Sequence, residues 1–374
     1  MLADCEFSKR EIVEAGKALK GVLTEQSEET LRAFKIAHSW RSSHVLPMSS
    51  IRSQLVNAAI GQRVKATTSA RLKRMKSIRK KLRESERTLY QIQDIAGCRA
   101  ILRCIDDVTA LSNWYRSSRC IHEIQRSNDY ITEPKSGGYR SQHIVLKFNG
   151  ERHGGKFTRH TVELQLRTHP QHIWATAVEA VGLVRNEDLK GGKGDADWLR
   201  LFAMMGHRIA LWEGAPGVPG VSENDREIRE ELTYLERKLS ASKNLSAWNA
   251  AIHCLNTFQG GKGFYLITFD RERHETSVAP YKKFAQGEDA LIGKETLFEA
   301  GDSVLVELEK AEDLRQAYPN YFMDVGVFAS YLQAAIEGRR MPEQAEEKAD
   351  PSPSNYTVKA IMNWWQGRRW KAGG

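Results

Sequence analysis

Apolar residues recur at helical spacing through the first sixty residues of the chain. Ile12, Ala15, Leu19 and Leu23 stand three or four apart, which predicts helices over residues 5–60. The basic segment 69–87 is predicted to continue as a helix. Residues 97–105 then read GCRAILRCI, an apolar run typical of a buried strand, and residues 108–117 predict the helix that follows it.

Alternation of polar and apolar residues predicts two further strands, at residues 143–148 and 160–166. In the second, Glu163 and Gln165 alternate with apolar neighbours, so their side chains share the face opposite the apolar one. Residues 170–184 and 198–212 predict two more helices. This order of elements indicates an α/β (α+β) fold in which a mixed β-sheet is flanked by helices.

A second, smaller α/β domain is predicted beyond the breaker sequence GAPGVPG at residues 214–220 and a charged helix over 224–245. Its expected strands are 264–269, 276–280 and 303–308, and its expected helices are 288–300 and 311–336. We therefore expect three parts: residues 1–245, residues 248–340, and a tail over 341–374. The tail combines a Pro-containing acidic linker with a basic segment that carries three tryptophans.

Charge is distributed unevenly along this sequence. The net charge is +9, and residues 51–100 hold 13 Lys and Arg against 3 Asp and Glu, whereas residues 301–350 hold 5 against 11. A basic block of this kind indicates a polyphosphate or nucleic-acid partner. Five dispersed cysteines without a C-x-x-C pair argue against a disulfide framework or a zinc ribbon. No stretch approaches the ~18 apolar residues of a spanning helix, so we expect a cytoplasmic protein that does not bind membranes.

Two segments carry residues suited to phosphate chemistry. Residues 71–81 hold Arg71, Lys73, Ser77 and Lys81, and on a helix the last three fall four apart on one face. Such a row offers cations and a hydroxyl to a triphosphate. Asp94 precedes the GCRAIL strand and is followed at short spacing by Gly97 and Arg99. A carboxylate beside so many cations suits magnesium, which prefers one or two carboxylates together with phosphate oxygens.

Two later segments complete the pattern. In the loop over residues 129–143, the pair Gly137-Gly138 permits a tight turn and Tyr139 offers a flat ring on which a base can stack. The strand with Glu163 and Gln165 supplies a second carboxylate. Pyrophosphoryl transfer requires metal-bridged phosphates, cations near the developing charge, and a carboxylate that holds metal or accepts a proton. Asp94 and Glu163 are our candidate catalytic carboxylates.

These four segments, over about residues 65–180, resemble the (p)ppGpp synthetase domain of the RelA/SpoT family in order and spacing. The resemblance, which is to the small alarmone synthetases, implies a nucleotidyltransferase-like fold and transfer of the β,γ-pyrophosphate of ATP to the 3′-hydroxyl of GDP or GTP. On the donor side, Arg71 and Arg99 would sandwich the adenine, while Lys73, Ser77 and Lys81 would hold ATP phosphates. Asp94 and Glu163 would bind Mg2+, with Glu163 also a candidate base.

On the acceptor side, the resemblance implies that Tyr139 stacks on the acceptor base, with Lys135, His143, Gln165 and Glu179 lining the site. Relatives usually carry a Glu-His pair starting four residues after the equivalent of Trp174, whereas this chain has Val178 and Glu179 there. This difference from the family's pattern falls among the residues that would bind the acceptor. The His-Asp dipeptide of the family's hydrolase half is absent from the sequence, so we expect synthesis without degradation.

Two alternatives to alarmone synthesis remain open. Some relatives are toxins that pyrophosphorylate the 3′ end of tRNA, and the acidic later half, with its aromatic segment 317–322, is a candidate regulatory domain that docks on the synthetase domain in cis. The other alternative is a non-catalytic RNA-binding module. The sequence leaves the acceptor, the activating trigger or partner protein, and the oligomeric state open.

Overall fold

The computed structural model describes residues 5–21, 27–245, 263–270, 275–282, 284–296, 302–308 and 325–342. The described chain forms two compact units. The first contains the described residues within 1–128 and 143–166, and the second contains residues 129–142 and those within 167–345. Neither unit is continuous in sequence. The limits predicted for the domains at residues 245 and 340 are not tested by this division and stay predictions.

The first unit contains five helices and almost all of a five-stranded sheet. Its helices are α1 (Lys9–Lys20), α2 (Glu28–Ser42), α3 (Val45–Gly61), α4 (Met75–Glu84) and α5 (Ile105–Arg116). Its strands are β1 (Ala66–Leu72), β2 (Ala96–Leu102), β3 (Glu123–Asp129), β4 (Gln142–Lys147) and β5 (Thr161–Thr168), of which only Asp129, Gln142, Arg167 and Thr168 fall in the second unit.

The sheet has the strand order β1-β2-β5-β4-β3 and is mixed. β2 shows the alternation of a strand with one covered face: Ala96, Cys98, Ala100 and Leu102 are buried, while Gly97, Arg99 and Ile101 are half-buried. A separate apolar core joins α1, α2 and α4 through residues such as Leu19, Trp40 and Ile78. The sheet therefore has one apolar face and one face that carries polar side chains.

The predicted helix over residues 69–87 is wrong in its first part. Residues 66–72 form β1, which pairs antiparallel with β2, and the helix α4 begins only at Met75. The segment ATTSARL contains two threonines, which suit a pleated strand, and pairing with β2 satisfies its backbone groups. Lys73 consequently lies in the turn between β1 and α4 and not on a helix face with Ser77 and Lys81.

The second unit is built on helices with a small sheet. Its elements are α6 (His169–Arg185), α7 (Ala196–Trp212), α8 (Asp225–Leu239), β6 (Gly263–Asp270), β7 (Glu275–Tyr281), α9 (Phe284–Thr296), β8 (Asp302–Leu308) and α10 (Gly326–Ile336). The small sheet is antiparallel with the order β7-β6-β8. α6 begins where Thr168 and Gln171 form a capping box, in which each side chain bonds the other's backbone N–H.

The predicted fold class is confirmed, because a mixed sheet flanked by helices is accompanied by a second, smaller sheet. β1 and β3 were not predicted from the sequence. Part of the predicted helix 311–336, the aromatic segment 317–322, and the linker and tail from residue 343 onward lie outside the described residues. No helix in the described part of the chain is long and apolar enough to cross a membrane.

The loop over residues 129–142, in the second unit, packs against α7 through two glycines. Gly138 has φ = 89°, and a Cβ there would lie 3.0 Å from the carbonyl oxygen of Phe202 and 3.2 Å from Gly206 Cα. A Cβ on Gly206 would in turn lie 2.6 Å from the carbonyl oxygen of Gly138. A Cβ on Gly137 would have none of the described residues within 4 Å, its two chain neighbours apart. Gly138 is therefore the glycine that this loop requires.

Gly138→Ala is expected to lower the free energy of unfolding by about 1–3 kcal/mol, because it combines a left-handed φ with contact against the backbone of α7. Gly137→Ala is the matched control and should stay within about 0.5 kcal/mol of the wild type. Thermal and urea unfolding of both variants measures this difference. Equal stability of the two variants would contradict the packing described for Gly138.

Candidate active site

Asp94 lies between two lysines in the first unit. Its Oδ2 accepts hydrogen bonds from Lys73 Nζ at 3.0 Å and from Lys81 Nζ at 2.8 Å. The side chains of Asp94, Lys73 and Lys81 are only 16%, 23% and 30% exposed. Since water is largely excluded, these ion pairs are stronger than pairs on an open surface. Asp94 Oδ1 is buried and has no hydrogen-bond partner among the described residues.

The register of β1 and β2 brings this cluster together. Leu72 pairs with Ala96, and the next backbone hydrogen bond runs from Lys73 N to the carbonyl oxygen of Ile95 at 2.7 Å. Lys73 thereby lies beside Asp94. Lys81 reaches the same carboxylate from α4, two turns after that helix begins. Strand pairing, and not the helical spacing predicted from the sequence, is what unites the two lysines.

Glu163 is held by two neighbours on the sheet. His143 Nδ1, on the adjacent strand β4, lies 3.0 Å from Glu163 Oε1, and Gln165 Nε2 donates to Glu163 Oε2 at 2.6 Å. The side chains of His143 and Glu163 are 14% and 13% exposed. The resemblance assigned His143 and Gln165 to the acceptor side, and the structure places both against Glu163. Their contact with an acceptor stays a prediction.

The environment keeps both carboxylates ionised. Burial raises the pKa of Glu163, but the hydrogen bond and charge of His143 and the hydrogen bond of Gln165 outweigh it and lower the pKa to about 2. Burial likewise raises the pKa of Asp94, while the charges of Lys73 and Lys81 lower it, with a net downward shift. Burial lowers the pKa of Lys73, an effect that Asp94 partly offsets. Asp94 and Glu163 also repel each other, which places them in one electrostatic cluster.

Arg71 and Arg99 lie on neighbouring strands and share a face of the sheet. Arg71 pairs with Gly97 and Ser69 pairs with Arg99, so the two arginines are diagonal neighbours across β1 and β2. A Cβ on Gly97 would lie 4.0 Å from the carbonyl oxygen of Arg71 and 3.8 Å from that of Glu163. Because Gly97 on β2 has no side chain, the sheet face between β1 and β5 stays open at this position.

Ser77 lies on α4 one turn before Lys81 and is half-buried. Thr161 Oγ1, at the start of β5, donates to the carbonyl oxygen of Gln93 at 2.9 Å. This bond fixes the segment that leads into Asp94 against the strand that carries Glu163. All nine predicted site residues within the first unit thus lie on α4, the sheet, or the segments that join them.

The other three predicted site residues lie in the second unit. Tyr139 is 7% exposed and meets Tyr130 edge-on, with ring centroids 6.0 Å apart. Lys135 Nζ lies 4.7 Å from the ring centroid of Tyr130 and 5.5 Å from that of Tyr139. Glu179 pairs with Lys190, whose Nζ lies 5.7 Å from the Tyr139 ring. A base-stacking role for Tyr139 stays a prediction.

Sequence reasoning did not select Lys190. It lies in a short 3-10 turn, Leu189–Gly191, where no periodicity marks a functional side chain. Tyr130 and Tyr139 supply two rings, and Lys135 and Lys190 supply two ammonium groups near them. This composition suits the base and phosphates of a nucleotide.

Among the described residues, no group of three or more His, Cys, Asp or Glu side chains is arranged to hold a metal ion.

The chain matches one known protein family over residues 70–183, a family described as the region found in RelA and SpoT proteins. The match includes Asp94, Glu163 and both lysines, and it confirms the resemblance to a RelA/SpoT-type synthetase domain. The family model covers less than a third of the chain.

Two curated relatives come from Bacillus subtilis (strain 168). The chain is 33% identical to the GTP pyrophosphokinase YjbM over 116 residues, which span 29% of this chain and 52% of YjbM. It is 29% identical to the GTP pyrophosphokinase YwaC over 166 residues, which span 43% of this chain and 77% of YwaC. The chain therefore spans about half the length of the first relative.

Among solved structures, the chain is similar to the small alarmone synthetase 1 from Bacillus subtilis bound to its product pppGpp. The TM-score is 0.41 at 21% identity, and the alignment covers 47% of this chain and 94% of that one.

The lowered pKa of Glu163 predicts a pH dependence of stability. An unfolded glutamate has a pKa of 4.5, so Glu163 stabilises the folded chain above that pH and loses this contribution as the pH falls toward about 2. Glu163→Gln should flatten the fall in urea midpoint between about pH 5 and pH 2. Glu123→Gln, at an exposed position of β3, is the control that should keep the wild-type slope. A wild-type slope in Glu163→Gln would contradict the pairing.

Proposed function

We propose that this chain, whose residues 70–183 match the region found in RelA and SpoT proteins, transfers the β,γ-pyrophosphate of ATP to the 3′-hydroxyl of GDP or GTP. The proposal makes the chain an ATP:nucleotide 3′-pyrophosphotransferase that produces the alarmone (p)ppGpp. Support comes from relatives named GTP pyrophosphokinase, which align over the segment that carries the candidate site. The single observation that carries the proposal is the half-buried cluster of Lys73, Lys81, Asp94 and Glu163.

The cluster suits phosphoryl chemistry because its charges are fixed before a ligand arrives. In the proposed reaction the acceptor's 3′-oxygen attacks the β-phosphorus of ATP, the bond between the α–β bridging oxygen and that phosphorus breaks, and AMP leaves. The 3′-hydroxyl proton is released. Negative charge develops on the phosphate oxygens, and Lys73 and Lys81 are positioned to stabilise it. Strand pairing and α4 fix the backbone positions of both lysines before a ligand binds.

Magnesium fits the residues that the cluster provides. Mg2+ is bound in nucleotide sites by one or two carboxylates together with substrate phosphates, so two protein carboxylates suffice. Within the described part of the chain, Asp94 Oδ1 is buried without a hydrogen-bond partner, so this oxygen can accept a cation. Asp94 and Glu163 are the residues that would hold the ion, which would neutralise phosphate charge when bound.

Glu163 is better suited to binding a cation than to accepting a proton. A general base is most efficient when its pKa lies near the operating pH, whereas the pKa of Glu163 is lowered to about 2. His143 and Gln165 hold both of its oxygens in the ionised state. We therefore assign Glu163 an electrostatic and metal-binding role, with His143 and Gln165 as its positioning residues.

Arg71 and Arg99 suit the adenine of ATP. Guanidinium groups stack on planar bases, and these two arginines share a sheet face next to the phosphate-binding lysines. The proposed donor site therefore runs along one sheet face, from the base at the arginines to the phosphates at Lys73, Ser77 and Lys81.

Glu163→Gln should reduce pyrophosphate transfer at least about a hundredfold, because it removes a fixed charge from the reaction centre. Transfer is followed with γ-labelled ATP, Mg2+ and GDP or GTP as acceptor. Glu123→Gln makes the same chemical change at a side chain that is 64% exposed, and it should retain full activity. Unchanged turnover in folded Glu163→Gln would remove this residue from the site.

The acceptor is identified by offering GDP, GTP and deacylated tRNA separately to the chain with γ-labelled ATP. We expect the label to move to a guanosine nucleotide. Label at the 3′ end of tRNA alone would favour the toxin alternative. Label in none of the three would favour a non-catalytic RNA-binding module and contradict the proposed enzyme.

A further inference from the structure

We infer that Asp94 is an internal counter-ion for Lys73 and Lys81, so that a nucleoside triphosphate binds tightly only together with a divalent cation. The inference rests on the proposed function and adds to it how the donor site couples its two ligands. It concerns binding, and its test requires no catalytic turnover.

The geometry of the cluster is the first argument. The two lysines that suit the triphosphate both donate to the same oxygen, Asp94 Oδ2, at 3.0 and 2.8 Å. A carboxylate oxygen bonded by two ammonium groups occupies the role that a phosphate oxygen would have. Phosphates therefore compete with Asp94 for both lysines. The other oxygen, Oδ1, is buried and has no hydrogen bond to any described residue, so it can accept a cation without breaking a bond seen in the structure.

The charge balance is the second argument. Lys73 interacts electrostatically with Lys81, Asp94 and Glu163, so the four groups act as one cluster. Two ammonium groups and two carboxylates have formal charges that cancel. Without a metal ion, a triphosphate meets no net attraction from these four groups and must displace a half-buried carboxylate from its partners. Of the other predicted ATP-binding residues, Arg71 and Arg99 still favour the anion.

A divalent cation changes both the bonding of the two lysines and the net charge of the four groups. It would compensate Asp94 and Glu163, which releases the ammonium groups of Lys73 and Lys81 to the phosphates. Each ligand then strengthens the binding of the other by the same factor, as linkage requires. The site would thus discriminate between metal-bound and metal-free nucleotide, because Asp94 occupies both lysines until a metal ion binds.

Isothermal titration calorimetry with α,β-methylene ATP tests the inference, because this analogue has no cleavable α–β bridge. The wild type should bind the analogue at least about tenfold more weakly in EDTA than in Mg2+. Asp94→Asn should bind it at least about tenfold more tightly than the wild type in EDTA and lose most of the response to Mg2+. Asp106→Asn, at an exposed position in the first turn of α5, is the matched control and should match the wild type.

Glu163→Gln tests whether the gain in metal-free binding requires loss of the carboxylate bonded to the lysines, or only loss of one negative charge. It removes the same formal charge but breaks no bond to either lysine, so its gain in metal-free binding should be clearly smaller than that of Asp94→Asn. Equal gains in the two variants, or no gain in folded Asp94→Asn, would overturn the inference.

Lys81→Gln provides a second test that holds if Asp94→Asn does not fold. The inference predicts a large loss of affinity in Mg2+ and a small loss in EDTA, because Lys81 is released to phosphate only when the metal is bound. Equal losses in the two buffers would mean that Lys81 is already available, and the inference would be wrong. If the wild type binds the analogue in neither buffer, the proposed ATP donor site fails as well.

Discussion

The pairing of one half-buried carboxylate with two lysines is the interaction on which the candidate site depends. Asp94 Oδ2 holds Lys73 and Lys81 within 3.0 Å, and none of the three side chains is more than a third exposed. Two half-buried ammonium groups without a counter-charge would repel each other and lose part of their hydration. Asp94 stabilises the positions of both lysines in the free chain. A phosphate that binds the lysines must therefore displace the Asp94 carboxylate from them.

The second carboxylate is positioned by a different device. Glu163 lies on β5 between His143 of the neighbouring strand and Gln165 two residues along its own strand. These contacts lower its pKa to about 2 and fix both of its oxygens. One carboxylate is thus held by cations and keeps one oxygen without a hydrogen-bond partner among the described residues, while each oxygen of the other has one. Two acidic residues of similar chemistry have distinct environments, because one follows a turn and the other lies within a sheet.

Much of the site could be predicted from the sequence because its segments carry strong local signals. The alternation around Glu163 gave the correct face, and the apolar run after Asp94 gave β2. β1 could not be predicted in the same way. Its last four residues belong to the basic segment 69–87, which predicted a helix, and its pairing with β2 is a contact between residues about 30 positions apart. The packing of Gly138 against Gly206 is equally non-local. Lys190 carried no signal, since it lies in a short turn.

By itself, the sequence determined the order of elements, the α/β class, and which residues bring charge to the site, because periodicity and composition are local properties. Only the tertiary structure decided which charges meet. Strand register places Lys73 beside Asp94, the neighbouring strand brings His143 to Glu163, and burial sets the strength of both pairings. Electrostatic energy depends on distance and on exclusion of water, and neither quantity is written in residue spacing along the chain.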